Sequence, residues 1–261
     1  MLDPSFDRIA KQYSAQRAHP LDVSFQIGKA IVKELGRDGG TVLELGVGTG
    51  RIAFPVIAAD CTVVGIDIAY EMLRAAQREG NADHLAHLRL VQGDISQLPF
   101  PDSYFDGVMV VHVLHLVPEI RQVITEVKRV LRPDGVIVQG RDWTDPQSFA
   151  GQLRRQLRMA VMSLSTTARP PSAMVDVPAL MQEMGGSEPR EVVAVSWYTE
   201  VVPQQLLDGM ARRDDAETWA LSDDLLEAAL LRLRQWATES YGDLTVPQQV
   251  EHRFVLTVTR F

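Results

Sequence analysis

The stretch Thr41-Val42-Leu43-Glu44-Leu45-Gly46-Val47-Gly48-Thr49-Gly50-Arg51 decides how the rest of the chain is read. Its first five residues form a short β-prone run, three glycines follow at alternate positions, and residues 51–59 read as a helix. Pro55 is tolerated there because it falls in the first turn. Glycines between a strand and a helix let the backbone bend sharply and approach a ligand closely, while the helix amides point at whatever binds. Asp67 ends the next apolar run, 21 positions beyond Gly46. A carboxylate at that place accepts hydrogen bonds from both hydroxyls of a ribose. The expected ligand is a nucleoside-bearing cofactor.

The loop also says which cofactor fits worse. A dinucleotide fingerprint reads G-x-G-x-x-G/A. Here the glycines are Gly46, Gly48 and Gly50, and Arg51 occupies the place of the third small residue. Glu44 would repel a pyrophosphate, whereas it suits a cofactor carrying an amino group and a sulfonium.

Outward from this loop, strand and helix signals alternate. Strands are expected at 62–66, 87–91, 105–111 and 136–138, with helices from Tyr70 to about Arg78 and from 120 to 131. The run Arg132-Pro133-Asp134-Gly135 reads as a turn. This alternation implies a Rossmann-like α/β fold: an open, mostly parallel seven-stranded sheet with helices on both faces and a helical cap. The expected organisation is an N-terminal helical segment (1–37), a cofactor-binding core (38–145) and a cap or substrate region (146–261). Two late strands, at about 191–198 and 253–260, return to the core sheet. Helices are also expected at 149–163, at 177–184 and, as a pair, across 203–241.

In order along the chain, Val42-Leu43-Glu44-Leu45-Gly46-Val47-Gly48-Thr49-Gly50, Gly65-Ile66-Asp67, Gly93-Asp94-Ile95, Leu98-Pro99-Phe100, Phe105-Asp106 and Leu131-Arg132-Pro133-Asp134-Gly135 resemble the class I S-adenosylmethionine-dependent methyltransferases. The likeness covers about residues 38–140. The stretch from Phe6-Asp7 to Arg17 and the segment beginning Leu98-Pro99 look most like the ubiquinone/menaquinone-biosynthesis-type small-molecule branch. The resemblance implies S-adenosyl-L-methionine as cofactor and S-adenosyl-L-homocysteine as product. It places Glu44, Gly46, Gly48 and Gly50 along the methionine part, and Asp67 with Ile68 at the ribose. Asp94 and Ile95 match the segment that cups the adenine. Met72 matches a side chain packed against the cofactor and reads equally as helix core. Tyr13 and Arg17 stand where an N-terminal helix folds over the cofactor, with Arg17 a partner for the methionine carboxylate.

Ligands of open α/β sheets sit beyond the carboxyl ends of the strands. His112 follows the fourth strand, where the family lines the cofactor and faces the acceptor. His112 or His115 is therefore the candidate general base, with local packing as the alternative. Arg141-Asp142-Trp143 offers an ion pair or a substrate wall. The basic run Leu153-Arg154-Arg155-Gln156-Leu157-Arg158 reads as a solvated helix face rather than an anion site. Leu225, Leu226, Ala229, Leu230, Leu233, Trp236 and Ala237 repeat at helical spacing as core or as an apolar acceptor lining.

Composition narrows the rest. Of 261 residues, 46% are hydrophobic and 23% charged, which argues against a disordered chain. A net charge of -8 argues against a general phosphate-backbone binder. The lone Cys61 leaves neither an internal disulfide nor a thiolate zinc cage, and no histidine–carboxylate spacing marks a metal site. No basic start with an apolar run precedes the fold, and no apolar run reaches the roughly 20 residues of a bilayer span, so a soluble cytoplasmic protein is expected. The expected activity is methyl transfer to a small molecule, without nucleic-acid or membrane partners. A cofactor-binding protein without turnover and a nicotinamide-dependent oxidoreductase are the competing readings.

Overall fold

The computed structural model describes residues 18–36, 40–165, 176–218 and 221–261. The chain divides into two units. The first comprises the described part of Met1–Arg141 with Val175–Val195 and Phe254–Phe261, and the second Asp142–Met174 with Ser196–Arg253. Residues 176–195 therefore belong with the core, although they lie within the 146–261 segment.

In the first unit, β1 (Thr41–Leu45), β2 (Thr62–Asp67), β3 (Leu88–Gln92), β4 (Phe105–Val111) and β5 (Leu131–Thr144) pair in parallel, β3 on β2, β2 on β1, β1 on β4 and β4 on β5. With β6 (Arg190–Val201) and β7 (Gln248–Arg260) the sheet order is β3-β2-β1-β4-β5-β7-β6. The near-continuous apolar runs of β1, β2 and β4 are buried along almost their whole length, as strands covered on both faces require.

Helix α1 (Leu21–Leu35) begins at Pro20, whose fixed φ suits a helix entry, and buries Val23, Ile27, Ile31, Val32 and Leu35 on one face. Next come α2 (Ala53–Ile57), α3 (Tyr70–Glu79), α4 (Ala82–Ala86) and α5 (Ile120–Val130). Helix α2 is shorter than the expected 51–59. Helix α4 has no counterpart in the sequence expectations, because it buries no residue and so carries no apolar period; Asn81 caps it by accepting the His84 N–H.

Two further departures have clear causes. The turn expected at 132–135 is absorbed into β5, which starts at Leu131, and the register against β4 slips between Phe105 and Gly107. Asp134 takes up the irregularity in the left-handed region, at φ 62°. The segment beginning Leu98-Pro99 is clamped by Arg129 of α5. Its guanidinium donates to the Leu98 and Phe100 carbonyls at 2.9 and 2.7 Å, to Asp102 at 2.8 Å and to Glu126 at 2.8 and 3.0 Å. Glu126 in turn accepts the Leu98 N–H.

The first unit also holds α7 (Val177–Glu183), which buries Val177, Leu180 and Met181 in the core beneath α5. The second unit packs α6 (Phe149–Leu164), α8 (Pro203–Ala211) and α9 (Asp223–Tyr241) around Phe149, Leu153, Leu157, Leu207, Met210 and Leu233. Ser148 and Ser222 cap α6 and α9. The basic run on α6 is mostly paired: Arg154 meets Asp215 at 3.3 Å and Arg158 meets Glu217 at 2.7 Å. Among the described residues no helix is long and apolar enough to cross a membrane.

Candidate functional site

Three positive-φ glycines shape the turn after β1, at 66° for Gly46, 54° for Gly48 and 84° for Gly50. They serve different ends. A Cβ on Gly46 would lie 2.1 Å from Val113, and one on Gly50 would lie 2.7 Å from the Phe54 ring, so both make room for the protein itself. Among the described residues, a Cβ on Gly48 would meet nothing within 4 Å. Its bareness faces open space, which is the form a ligand cradle takes.

Asp67, at the end of β2, ties this loop to the turn beyond its own strand. Oδ2 accepts the Gly48 N–H at 2.8 Å and Oδ1 the Ala69 N–H at 2.9 Å, while its carbonyl accepts the Gly93 N–H at 3.0 Å. One half-buried carboxylate thus organises the glycine loop, the β2–α3 turn and the end of β3. Ile68 beside it is 45% exposed, an apolar surface left bare next to that acid.

Glu44 is 2% exposed, and its Oε2 is buried without a hydrogen-bond partner among the described residues. Burial pushes its carboxyl well above the usual carboxylate range, and the nearby Asp67 adds to that; the Arg51 cation and a hydrogen bond from the Ala53 N–H act the other way. Arg51 Nη1 lies 3.0 Å from the His19 Nε2. A buried carboxyl with an open acceptor is costly unless a donor, best a cationic one, completes it.

The remaining expected residues are distributed around this centre. Asp94 is exposed, and its Oδ1 accepts the Ser96 N–H at 2.8 Å. Ile95 is 7% exposed and belongs to the hydrophobic core, and Met72 is 3% exposed on the buried face of α3. His112 is half-buried just past β4 in the left-handed region, at φ 55°. A non-glycine residue held there is strained, and such strain collects at functional turns. His115 lies exposed on the 3₁₀ turn Leu114–Leu116. Tyr13 and Arg17 lie outside the described residues. Arg141 is ion-paired with Glu191 at 2.7 Å. The Arg253 guanidinium lies 4.4 Å from the Trp143 ring centre, a cation–π contact within the second unit. No group of three or more His, Cys, Asp or Glu among the described residues is placed to hold a metal ion.

Sequence reasoning missed Val113, whose contact with Gly46 joins the glycine loop to the β4 turn, and Gln139, whose Oε1 is buried without a partner. Neither belongs to a motif. Only the register of the sheet brings them to the site.

These features suit S-adenosylmethionine: an acid for the ribose, a bare glycine for close approach, and an open buried carboxyl for its ammonium group. The family model for the methyltransferase domain matches residues 43–139. The chain is 40% identical over 101 residues to a phosphatidylethanolamine N-methyltransferase of Cereibacter sphaeroides, covering 38% of this chain and 49% of that protein. It is 33% identical over 155 residues to a demethylmenaquinone methyltransferase of Tropheryma whipplei, covering 58% and 62%. The chain thus spans about half the length of the curated relatives it matches. Among solved structures, a putative antibiotic-pathway methyltransferase of Anabaena variabilis aligns with a TM-score of 0.61 at 18% identity, over 93% of this chain and 98% of that one. A methyltransferase of Thermotoga maritima aligns with a TM-score of 0.51 at 17% identity, over 98% and 97%. Residues 43–139 are thus similar to a methyltransferase domain, and the solved structures share the fold.

Proposed function

We propose that this protein transfers a methyl group from S-adenosylmethionine to a small-molecule acceptor. The observation that carries the reading is the conjunction of Glu44, Gly48 and Asp67: an unfilled buried carboxyl, a glycine facing open space and a loop-organising acid. The bound cofactor supplies an activated methyl on a positively charged sulfur, an excellent leaving group, so the protein needs no nucleophile of its own. Asp67 holds the ribose, Glu44 the ammonium group, and Asp94 with Ile95 the adenine edge. His112, half-buried just past β4 at φ 55°, is assigned as the base for a proton leaving the acceptor. The work left to the chain is orientation at near-attack distance.

The names of the curated relatives differ in acceptor: phosphatidylethanolamine, fatty acid and demethylmenaquinone. Acceptor choice is accordingly assigned to residues at the margin of residues 43–139 and beyond. Calorimetric titration with S-adenosylhomocysteine tests the reading. The wild type binds, and Asp67→Ala weakens binding at least tenfold, because it removes the ribose partner and unties the Gly48 N–H. A wild type that ignores S-adenosylhomocysteine and binds NAD instead would overturn it.

A further inference from the structure

The sheet register places Val91, Ile66, Leu45, Val110 and Gln139 in one row across β3, β2, β1, β4 and β5. Residues paired in register share a face. Ile66, Leu45 and Val110 are buried core, and Val91 packs against them. Gln139 is the polar member of that row. The next row towards the carboxyl edge contains Asp67 on β2 and Gly140 on β5, so Gln139 stands one step beneath the edge where ligands of such sheets sit. Its Oε1 is buried and meets no donor among the described residues. Arg141, two residues on, is engaged with Glu191.

A buried acceptor without a donor is costly, and an apolar residue of the same size would remove the cost. The other such atom near the carboxyl edge in this unit, Glu44 Oε2, answers to the cofactor. Glu44 lies on β1, and the ribose acid lies on β2, so the cofactor is committed to that half of the edge. The margin beyond β4 and β5 is what remains for the acceptor.

We propose that Gln139 positions the methyl acceptor, its side-chain carbonyl taking a hydrogen bond from the O–H or N–H group that receives the methyl. The acceptor is then a hydroxyl or amine compound, not a carbon nucleophile. This rests on the methyl-transfer reading above. The heteroatom's lone pair forms the new bond to the methyl, the S–C bond breaks with its pair staying on sulfur, and the heteroatom's proton departs. An amide oxygen is too weakly basic to take that proton, so Gln139 orients the group while a separate base or water receives the proton.

The test uses 13C-methyl-labelled S-adenosylmethionine, a small-molecule cell extract and NMR of the labelled products, which separates O-, N- and C-methyl groups. Wild type is expected to give O- or N-methyl signals. Gln139→Met, close in shape but without the acceptor, is expected to lower them about tenfold while S-adenosylhomocysteine affinity stays within twofold and the unfolding midpoint does not fall. Gln139→Glu keeps an acceptor oxygen and is expected to restore much of the signal. Equal yields from wild type and Gln139→Met, C-methyl products, no recovery with Gln139→Glu, or loss of S-adenosylhomocysteine binding in Gln139→Met would each overturn the proposal. A wild type that binds S-adenosylhomocysteine but labels nothing overturns the methyl-transfer reading itself, and this inference with it.

Discussion

Replacing Glu44 by glutamine keeps the shape of the side chain and removes its titration, and the consequences run in opposite directions for the empty and the loaded protein. In the empty protein the carboxyl is fully enclosed, one oxygen lacks a partner, and its affinity for a proton is well above that of an ordinary carboxylate because of that burial. The native state therefore holds a proton that the unfolded chain releases near pH 4.3. The stability tied to this group is complete below that value and is lost as pH rises through the native one. Glu44→Gln avoids the loss, so its empty form should unfold at a higher temperature than wild type at pH 7, with the gap closing towards pH 4. Binding shows the reverse. A charge-assisted hydrogen bond to an ammonium group is worth about 1.5–3 kcal/mol, so affinity for S-adenosylhomocysteine should drop by roughly 10- to 150-fold. Because the cationic group favours the ionised carboxyl, wild-type binding should expel a proton. Calorimetry in two buffers of different ionisation enthalpy reads this directly, and the buffer dependence should flatten in Glu44→Gln. Unchanged affinity in the variant, or an empty variant less stable than wild type at pH 7, refutes the reasoning.

Two further expectations concern the scaffold. Arg129→Met should cost about 2 kcal/mol in urea unfolding, since it releases the segment beginning Leu98-Pro99 from α5 and leaves two carbonyls without their charged donor; an unchanged midpoint argues that water replaces the guanidinium. His252, stacked on Trp197, has Nδ1 3.3 Å from the Thr144 hydroxyl and Nε2 2.8 Å from that of Thr199. Its partial burial and the nearby Arg154 hold its pKa below the usual histidine value, against the opposing pull of Asp142. The unfolded chain takes up a proton at about pH 6.5 while the native state resists it, so stability should fall as pH drops below that value. His252→Gln should flatten this dependence in thermal melts between pH 5 and 7; an identical slope argues against it.

The strands of the parallel sheet were legible because burial on both faces demands continuous apolar runs, and β4 falls at the expected 105–111. The boundaries of β5, β6 and β7 were not, since their outer ends alternate polar and apolar residues whose partners are distant in sequence. Helix α4 escaped notice because it rests on one asparagine cap rather than on a buried face. The arginines of α6 gave no sign of their partners, Asp215 and Glu217, some sixty residues away.

Taken alone, the order of residues determined the glycine turn, the acid 21 positions later and so the class of ligand, because strand–turn–helix geometry is local and a ribose needs a carboxylate at one place. Tertiary structure decided what each residue does there. It made Gly46 a seat for Val113 and left Gly48 bare, turned Asp67 into a tie between two loops, left one oxygen of the buried Glu44 carboxyl without a partner among the described residues, and brought Gln139 beneath the carboxyl edge. Those outcomes depend on which strands become neighbours and in what register, and a one-residue slip in pairing would send every one of these side chains to the opposite face.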